Sequence, residues 1–427
     1  MIRMSYFIRV WTFLGMMATF GAPMSVFATG LTLRDAESRL IEKNRDVQAA
    51  RRSLESARAG MTIAEARPNP NLSMQSVNIS PRNGIGAGRP NDKIVDTTLR
   101  LDLLIEGRSK RTLRGEAASK LALAAEQDLA ETIRAQRVAL RQAYFDLKLA
   151  QEKFAISRDF ADLSGKTLNA TELRLRAGDV SEADAAKLRV DALRSQNDLR
   201  VTEAELVKAQ FVLATLIADE DRATTFEVRD PWPQGLVRDN AAPTIRDHGE
   251  LDGRPDVKAA ALRAEAAEAS RNLARALKNR DISIGVQYEH FPENSGNTWG
   301  IGVSIPLFVA YKYEGEIRRA DSDWHAAREM HDRTRAQAAT DVARAGADIE
   351  AARARIERFR GSLIAEAKRA ANAAEFAYQK GATGVLELLD TRRTFKLIQL
   401  EAASAEADFA KALAAWMASL SLELDLQ

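Results

Sequence analysis

The sequence predicts a mainly α-helical chain with a small β part, built as a tandem duplication in which each half runs helix, strand, strand, long helix, turn, helix. Three observations carry this expectation. Two long stretches, 91–230 and 307–427, contain no proline and are rich in Ala, Leu, Arg, Glu and Gln; proline breaks helices and these residues favour them. Between those stretches lie segments in which apolar and polar residues alternate with period two, the mark of a strand with two unlike faces. Landmarks also recur at offsets of 203–210 residues: Asp46-Val47-Gln48-Ala49-Ala50 with Asp256-Val257-Lys258-Ala259-Ala260, the strand pair at 71–104 with that at 281–308, and a glycine turn at Gly178 with one at Gly381.

The first segment, 1–28, reads as a secretory signal peptide. Arg3 and Arg9 precede an apolar run from Val10 to Phe20, and Val26-Phe27-Ala28 supplies a small-residue cleavage site. A membrane anchor is the alternative, but the run is shorter than the roughly 20 residues a span needs. Removing Arg3 and Arg9 from the 62 basic residues leaves 60, equal to the 60 acidic ones. That balance argues against a nucleic-acid partner, which normally meets a basic excess. With 45% hydrophobic residues the chain can bury a large core, and with no Cys it has no disulfide framework, thiol nucleophile, Cys-bound zinc or lipidated N-terminal Cys. No later apolar run approaches a helical span, so an exported chain of this kind is soluble or a β-barrel.

The helices are expected at 31–67, 105–177, 181–218, 252–279, 311–380 and 384–419. Ile133, Leu140, Tyr144, Leu147 and Phe154 step by 7, 4, 3 and 7, a coiled-coil seam. Gly178-Asp179-Val180-Ser181 and Gly381-Ala382-Thr383-Gly384 punctuate the proline-free stretches. Gly ends a helix in the left-handed conformation and Ser or Asp caps the next, so each stretch folds back as a helical hairpin. The two long helices, about 70 residues each, would reach roughly 100 Å at 1.5 Å per residue. Each pair of short helices stacked end to end matches that length; 384–419 with 31–67, and 181–218 with 252–279, is the pairing the lengths suggest. A connector at 219–251, with Trp232, joins a first repeat (29–218) to a second (252–420), and 421–427 is a tail.

The strands are expected at 71–80, 94–104, 281–289 and 298–308. Ile282, Ile284, Val286 and Tyr288 alternate with polar or small neighbours, as do Trp299, Ile301, Val303 and Ile305 and the earlier Leu99, Leu101 and Leu103; Leu72, Met74, Val77 and Ile79 carry a phase slip near Ser76. Four strands cannot close a barrel in lipid, because open edges leave unsatisfied backbone groups. Either the strands stay out of a membrane, or the chain oligomerises; a homotrimer supplies 12 strands around one pore. Trp299, Phe308, Tyr311 and Tyr313 flank the last hairpin, where aromatic residues suit a membrane–water boundary. They would equally pack a strand-to-helix junction.

At this point the sequence resembles the outer-membrane efflux proteins, the TolC-like outer-membrane factors. The resemblance spans nearly all of the chain after residue 28. It rests on Arg254-Pro255-Asp256-Val257, on Gly302-Val303-Ser304-Ile305-Pro306-Leu307-Phe308, and on Gly381 through Leu389-Asp390 as a helix-turn tip. Gln287-Tyr288-Glu289-His290, Trp299-Gly300-Ile301 and Tyr313-Glu314-Gly315-Glu316-Ile317 look like the cobalt–zinc–cadmium resistance (CzcC-like) heavy-metal branch. The resemblance implies a trimeric 12-strand barrel in outer-membrane lipid, continued by a periplasmic helical tunnel. It also implies a periplasmic adaptor and an inner-membrane RND pump as partners, with divalent metal cations as cargo; drug efflux or type I protein secretion is the alternative. Without an N-terminal Cys, the chain is expected to lack the lipid anchor some relatives carry.

The candidate sites follow from the same positions. Glu387 and Asp390 lie three apart, on one helix face, and in the family pattern matching acids narrow the periplasmic mouth of the pore. Asp184 is the first-repeat counterpart of Glu387, but Lys187 stands where Asp390 would be. Three copies would gather carboxylates around one axis, which favours cations; a solvated helix face is the plainer reading. Gly178, Asp179, Ser181, Gly381, Thr383 and Gly384 form the tips expected to dock the adaptor, or simple turns. His290 beside Glu289 and Glu293 is at most a weak metal site, and His325 and His331 are six apart, off one helical face. No metal site, cofactor or enzymatic constellation is expected. A soluble periplasmic scaffold remains a rival, as does an adaptor, which would need one hairpin flanked by β-domains.

Overall fold

The computed structural model describes residues 30–82, 84–89, 92–107, 109–233, 251–291 and 296–420. The expected signal segment 1–28, residues 234–250 of the connector, Glu293 and the tail 421–427 lie outside the described residues. In chain order the elements are β1 (Gly30–Leu31), α1 (Leu33–Lys43), α2 (Arg45–Glu65), β2 (Asn71–Val77), β3 (Asp96–Ile105), α3 (Lys110–Arg176) and α4 (Glu182–Leu216). A 3-10 turn at Glu220–Thr225 leads to β4 (Glu227–Val228), α5 (Pro255–Ala276), β5 (Ile282–Phe291) and β6 (Gly296–Ser304). Then α6 (Glu314–Arg358), a π-turn (Phe359–Leu363), α7 (Ile364–Gln379) and α8 (Val385–Ser419) complete the chain. At 67 residues, α3 is about 100 Å long.

Four differences from the sequence expectation in the helices and the connector have identifiable causes. The helix expected over 31–67 breaks at Asn44. Its side-chain oxygen caps the backbone N–H groups of Asp46 (2.9 Å) and Val47 (3.1 Å), and its amide donates to the Leu216 carbonyl at 2.9 Å. Capping both Asp46 and Val47 from one side chain requires a non-helical Asn44 (φ −57°, ψ 131°). The second-repeat counterpart, Arg254, is likewise non-helical and precedes Pro255 at the first helical position.

The helix expected over 311–380 contains the π-turn at Phe359–Leu363. Ile349 and Ile356 before it pack on Phe409, Leu413 and Met417 of α8, while Ala371 and Ala374 after it are the buried positions. A wide turn re-aims the face that follows it, and Arg360 within this one bridges Glu406 at 2.7 Å. The third difference is in the connector, which carries β4 in parallel with β1, so the segment joining the repeats holds the first described residues of the chain.

The short helices, finally, stack within each repeat rather than between repeats. The end of α4 meets the start of α2 through the Asn44–Leu216 bond and an Arg45–Glu220 bridge of 2.6 Å. The end of α8 meets the start of α5, where Leu420 packs on the cluster of Leu251, Val257, Ala338 and Val342. The pairing expected from the lengths, 384–419 with 31–67 and 181–218 with 252–279, is therefore not the one formed, because stacking within a repeat matches a long helix equally well.

The largest buried cluster sits where β1, α1, α3, α4 and β4 converge, around Leu40, Leu140, Phe145, Leu147, Leu213 and Phe226. Tyr144 is wholly buried there, its hydroxyl 2.7 Å from Asp230 Oδ2 and 2.9 Å from the Leu31 carbonyl. Asp230 also accepts the Leu33 N–H at 2.7 Å, satisfying the start of α1. Burial and then the Asp230 carboxylate push the Tyr144 phenol up, so it stays protonated and donates. Trp232 stacks on Phe145 and donates to Glu152 at 2.6 Å, clamping the connector.

In the second repeat the position matching Asn44 is charged. Arg254 is buried, with Nη2 2.8 Å from Asp256 and 3.5 Å from Asp341. Burial alone would raise the Asp256 carboxyl, but the Arg254 fork outweighs it and holds the group below the usual carboxylate range. A carboxyl depressed in the folded state contributes stability above its unfolded pKa of about 3.9 and loses it as pH falls through the folded value. Arg254→Ala should therefore cost about 3 kcal/mol at neutral pH, and the deficit should shrink at acid pH. Denaturation followed by proteolysis at pH 7 and by circular dichroism at pH 2, below the carboxylate range, checks both statements.

The four long strands form one antiparallel sheet in the order β2-β3-β5-β6. The two hairpins thus join through β3 and β5, with Leu101 opposite Val286 and Thr97 opposite His290. β2 stops at Val77, short of residue 80, because Asn78 turns into the left-handed region at φ 61°. The strand expected over 298–308 starts at Gly296 and ends at Ser304, ahead of Pro306, which has no N–H for a ladder.

Candidate functional site

The sheet has two unlike faces, and register assigns each side chain to one. On the first lie Leu72 and Met74 of β2, Leu99, Leu101 and Leu103 of β3, Ile282, Ile284, Val286 and Tyr288 of β5, and Trp299, Ile301 and Val303 of β6. Most of this face is open: Ile301 is 82% exposed, Trp299 75% and Met74 71%. On the other lie Ser73, Gln75, Thr98, Arg100, Asp102, Gln287, Glu289, Thr298 and Ser304. Such an apolar face of several hundred Å2 demands a cover. The outer edges of β2 and β6 are unpaired among the described residues.

No helix among the described residues is long and apolar enough to cross a membrane. The alternation of the sheet is that of a barrel wall, apolar outward and polar inward. The phase slip near Ser76 is a strand end: β2 pairs with β3 without a bulge, Val77 lies on the polar side, and Asn78 closes the strand.

The aromatic residues divide. Trp299 stands on the apolar face, edge-on to its cross-strand partner Tyr288 at 5.3 Å. Phe308, Tyr311 and Tyr313 pack on one another where β6 runs into α6, with Phe308 edge-on to Tyr313 at 5.3 Å. Tyr311 also accepts the Gly315 N–H at 2.9 Å. The junction and the boundary of the apolar face coincide there.

At the far ends of the helices the two tips share one backbone design. Gly178 has φ 82° and Gly381 φ 74°. The Gly178 N–H bonds the Leu175 carbonyl and the Asp179 N–H the Arg174 carbonyl; the Gly381 and Ala382 N–H groups bond Tyr378 and Ala377 in the same way. Each is a Schellman cap, which requires a left-handed residue after the helix. Ser181 then caps α4, accepting the Asp184 N–H at 3.1 Å, whereas Gly384 begins α8 without a side-chain cap. Thr383, which precedes it, leaves its hydroxyl without a hydrogen-bond partner.

The three acidic candidates differ in how much charge they show. Asp184 accepts Lys187 Nζ at 3.0 Å and the Ser181 hydroxyl at 2.9 Å. Those two contacts, Lys187 first, hold its carboxyl below the usual range. Glu387 and Asp390 are exposed and make no ion pair among the described residues. Asp390 and Lys187 line a shallow groove of about 480 Å3 between the first turns of α8 and α4. The first repeat thus offers a neutralised acid and the second offers two free ones. One turn further, Arg392 is buried against Glu375 and donates to Thr167 at 2.9 Å, tying the second hairpin to the first; its first-repeat counterpart, Arg189, bridges Glu172 at 3.5 Å in the same way.

His290, near the end of β5, is buried between Asn297 Oδ1 of β6 (3.0 Å) and the carbonyl of Lys93 ahead of β3 (3.3 Å). Among the described residues no group of three or more His, Asp or Glu side chains has metal-ligating geometry.

Comparison with known proteins agrees with this geometry. The chain is 25% identical to the cobalt-zinc-cadmium resistance protein CzcC of Cupriavidus metallidurans over 368 residues, 85% of this chain and 84% of that protein. It is 24% identical to the probable outer membrane lipoprotein SilC of Salmonella typhimurium over 375 residues, covering 83% and 78%. In structure it resembles a membrane protein from Pseudomonas aeruginosa, with a TM-score of 0.77 at 21% identity, covering 91% of this chain and 93% of that one. The outer membrane efflux protein family matches residues 37–219 and 248–421, one segment for each repeat. The helix–sheet duplication, the two-faced four-stranded wall and these matches together place the chain in the outer membrane efflux protein family, a family of transport channels and not of enzymes.

Proposed function

We propose that this chain is the exit duct of a tripartite efflux system that passes divalent heavy-metal cations of the cobalt, zinc, cadmium and nickel class. The observation that carries the duct is the sheet: a bare apolar face, a polar face behind it and two open edges. Three copies joined edge to edge close 12 strands around a polar lumen and leave no unpaired edge in lipid. The helices continue that wall into the periplasm by about 100 Å.

The tips at Gly178, Asp179 and Ser181 and at Gly381, Thr383 and Gly384 are the docking ends for a periplasmic adaptor, which links the duct to an inner-membrane RND pump. Glu387 and Asp390 are the acids that ring the mouth, with Asp184 held back by Lys187. Two unpaired carboxylates per chain, repeated around a three-fold axis, attract cations and repel anions. The similarity to CzcC, a cobalt-zinc-cadmium resistance protein by name, supports metal cargo. The scarcity of His and the absence of Cys suit a conduit that does not bind its cargo tightly.

Deleting the gene should sensitise cells to zinc, cadmium, cobalt or nickel. A copy with all four His replaced should restore resistance wherever its trimer forms. Sensitivity confined to dyes, detergents or antibiotics would move the cargo to the drug-efflux class. A His-free trimer that assembles but fails to protect would make the duct a metal-binding participant.

A further inference from the structure

The polar face of the sheet contains a charged network the duct reading leaves without a role. Arg100 of β3 turns its Nε onto both carboxylate oxygens of Asp102, at 2.8 and 3.0 Å, two residues along the same face. Its Nη1 donates to Gln287 of β5, directly opposite, at 3.1 Å. Gln287 in turn donates to Glu289 Oε1 at 2.7 Å. One guanidinium, one carboxylate, one amide and a second carboxylate thus form a single hydrogen-bonded chain across two strands.

The neighbouring positions are cut back to make room for it. Asp102 faces Gly285, which faces Gly302; Gln287 faces Gly300. A Cβ on Gly285 would overlap Asp102 Oδ1 and lie 2.9 Å from Arg100 Nη2; one on Gly302 would lie 3.4 Å from the same nitrogen. A Cβ on Gly300 would stand 3.0 Å from the Gln287 side chain. None of these three glycines has the positive φ that would require glycine for the backbone. Their common property is the floor they leave, on which the guanidinium lies along the wall instead of projecting from it.

We propose that Arg100, laid flat by Asp102, Gln287 and this glycine floor, sets the ion preference of the membrane-spanning part of the duct. Each chain then presents one cation flanked along the wall by two carboxylates, Asp102 two positions to one side and Glu289, opposite Thr98, two positions to the other, a net negative belt with its positive member pinned against the wall. The Asp102 contact keeps Arg100 from reaching across the lumen, where three free guanidinium groups would repel a metal cation. This rests on the reading of the sheet as a barrel wall with its polar face inward. It adds a second station, distinct from the acids of the periplasmic mouth.

The test uses purified trimers in planar bilayers under a KCl gradient at low salt, where screening is weak. Chains also carry Glu387→Gln and Asp390→Asn, so that the mouth does not mask the wall. Arg100→Gln should shift the zero-current potential toward the cation limit. Asp102→Asn, which releases the guanidinium, should shift it toward the anion limit. Gly285→Val should act like Asp102→Asn by displacing the pair.

Because the chain has no Cys, Arg100→Cys gives a single addressable thiol. A cationic methanethiosulfonate reagent should restore the parental potential and an anionic one should move it further toward cations. Trimers whose thiol reacts but whose potential ignores the sign of the added charge would overturn the belt while leaving the barrel intact. A thiol that no aqueous reagent reaches in conducting trimers would overturn the inward placement of the polar face, and the belt with it. Unchanged potentials in both Arg100→Gln and Asp102→Asn trimers that conduct would also overturn it.

Discussion

Ile301→Arg should abolish trimer accumulation in the outer membrane, while Thr298→Arg, three residues away, should leave it near normal. Ile301 lies on the apolar face and is the most exposed of the large apolar residues within the strands. A charged residue facing lipid near the midplane of a barrel costs about 2–4 kcal/mol, and a trimer pays that three times. Thr298 faces the polar side opposite Glu289, where an added guanidinium meets water and a carboxylate. The measurement is the trimer band in outer-membrane fractions, with a detergent mass near three times that of the mature chain for the parent. Normal accumulation of the Ile301→Arg protein would mean that the apolar face is covered by protein instead of lipid, and a stable monomer in the membrane would remove the trimer altogether.

The parts of this fold that the sequence makes legible are those in which a single residue's stereochemistry decides. Period-two alternation assigns Leu99, Leu101 and Leu103 to one face without any knowledge of their partners. Gly178 and Gly381 announce turns because only glycine enters the left-handed region freely, and both do so in the structure. Lys187 in place of an acid was visible by alignment of the two repeats, and the structure pairs it with Asp184.

What stays hidden is what depends on a partner from far along the chain. Asn44 sits in a run of good helix formers, and its cap matters because its amide also reaches Leu216. The repeat itself held a usable signal, since Asn44-Arg45-Asp46-Val47 aligns with Arg254-Pro255-Asp256-Val257 and proline starts the second helix. The stacking of α4 on α2 was undecidable from lengths, because either pairing matches one long helix. Arg100 and Asp102 were recognisable as polar strand positions, but the space left by Gly285 and Gly302 exists only once β5 and β6 are in register.

The largest effect at the other end of the molecule should come from Gly381→Pro. Gly381 has φ 74°, donates its N–H to Tyr378 at 3.0 Å, and follows Lys380 in the right-handed helical region. Proline fixes φ near −65°, has no N–H, and disfavours the helical conformation in the residue before it. All three features of the cap fail together, so the hairpin must end by another route and the tip is rebuilt. Gly381→Ala is the control. A Cβ there meets nothing within 4 Å, so its cost is the left-handed conformation alone, about 1–2 kcal/mol. The main core and the sheet edges lie in other elements, so both variants should still assemble as trimers. Metal resistance should be lost with proline and largely kept with alanine. Full resistance in the proline variant would remove the second tip from adaptor docking and leave the first, at Gly178, to carry it; loss in both variants would mean that the tip tolerates no change in shape at all.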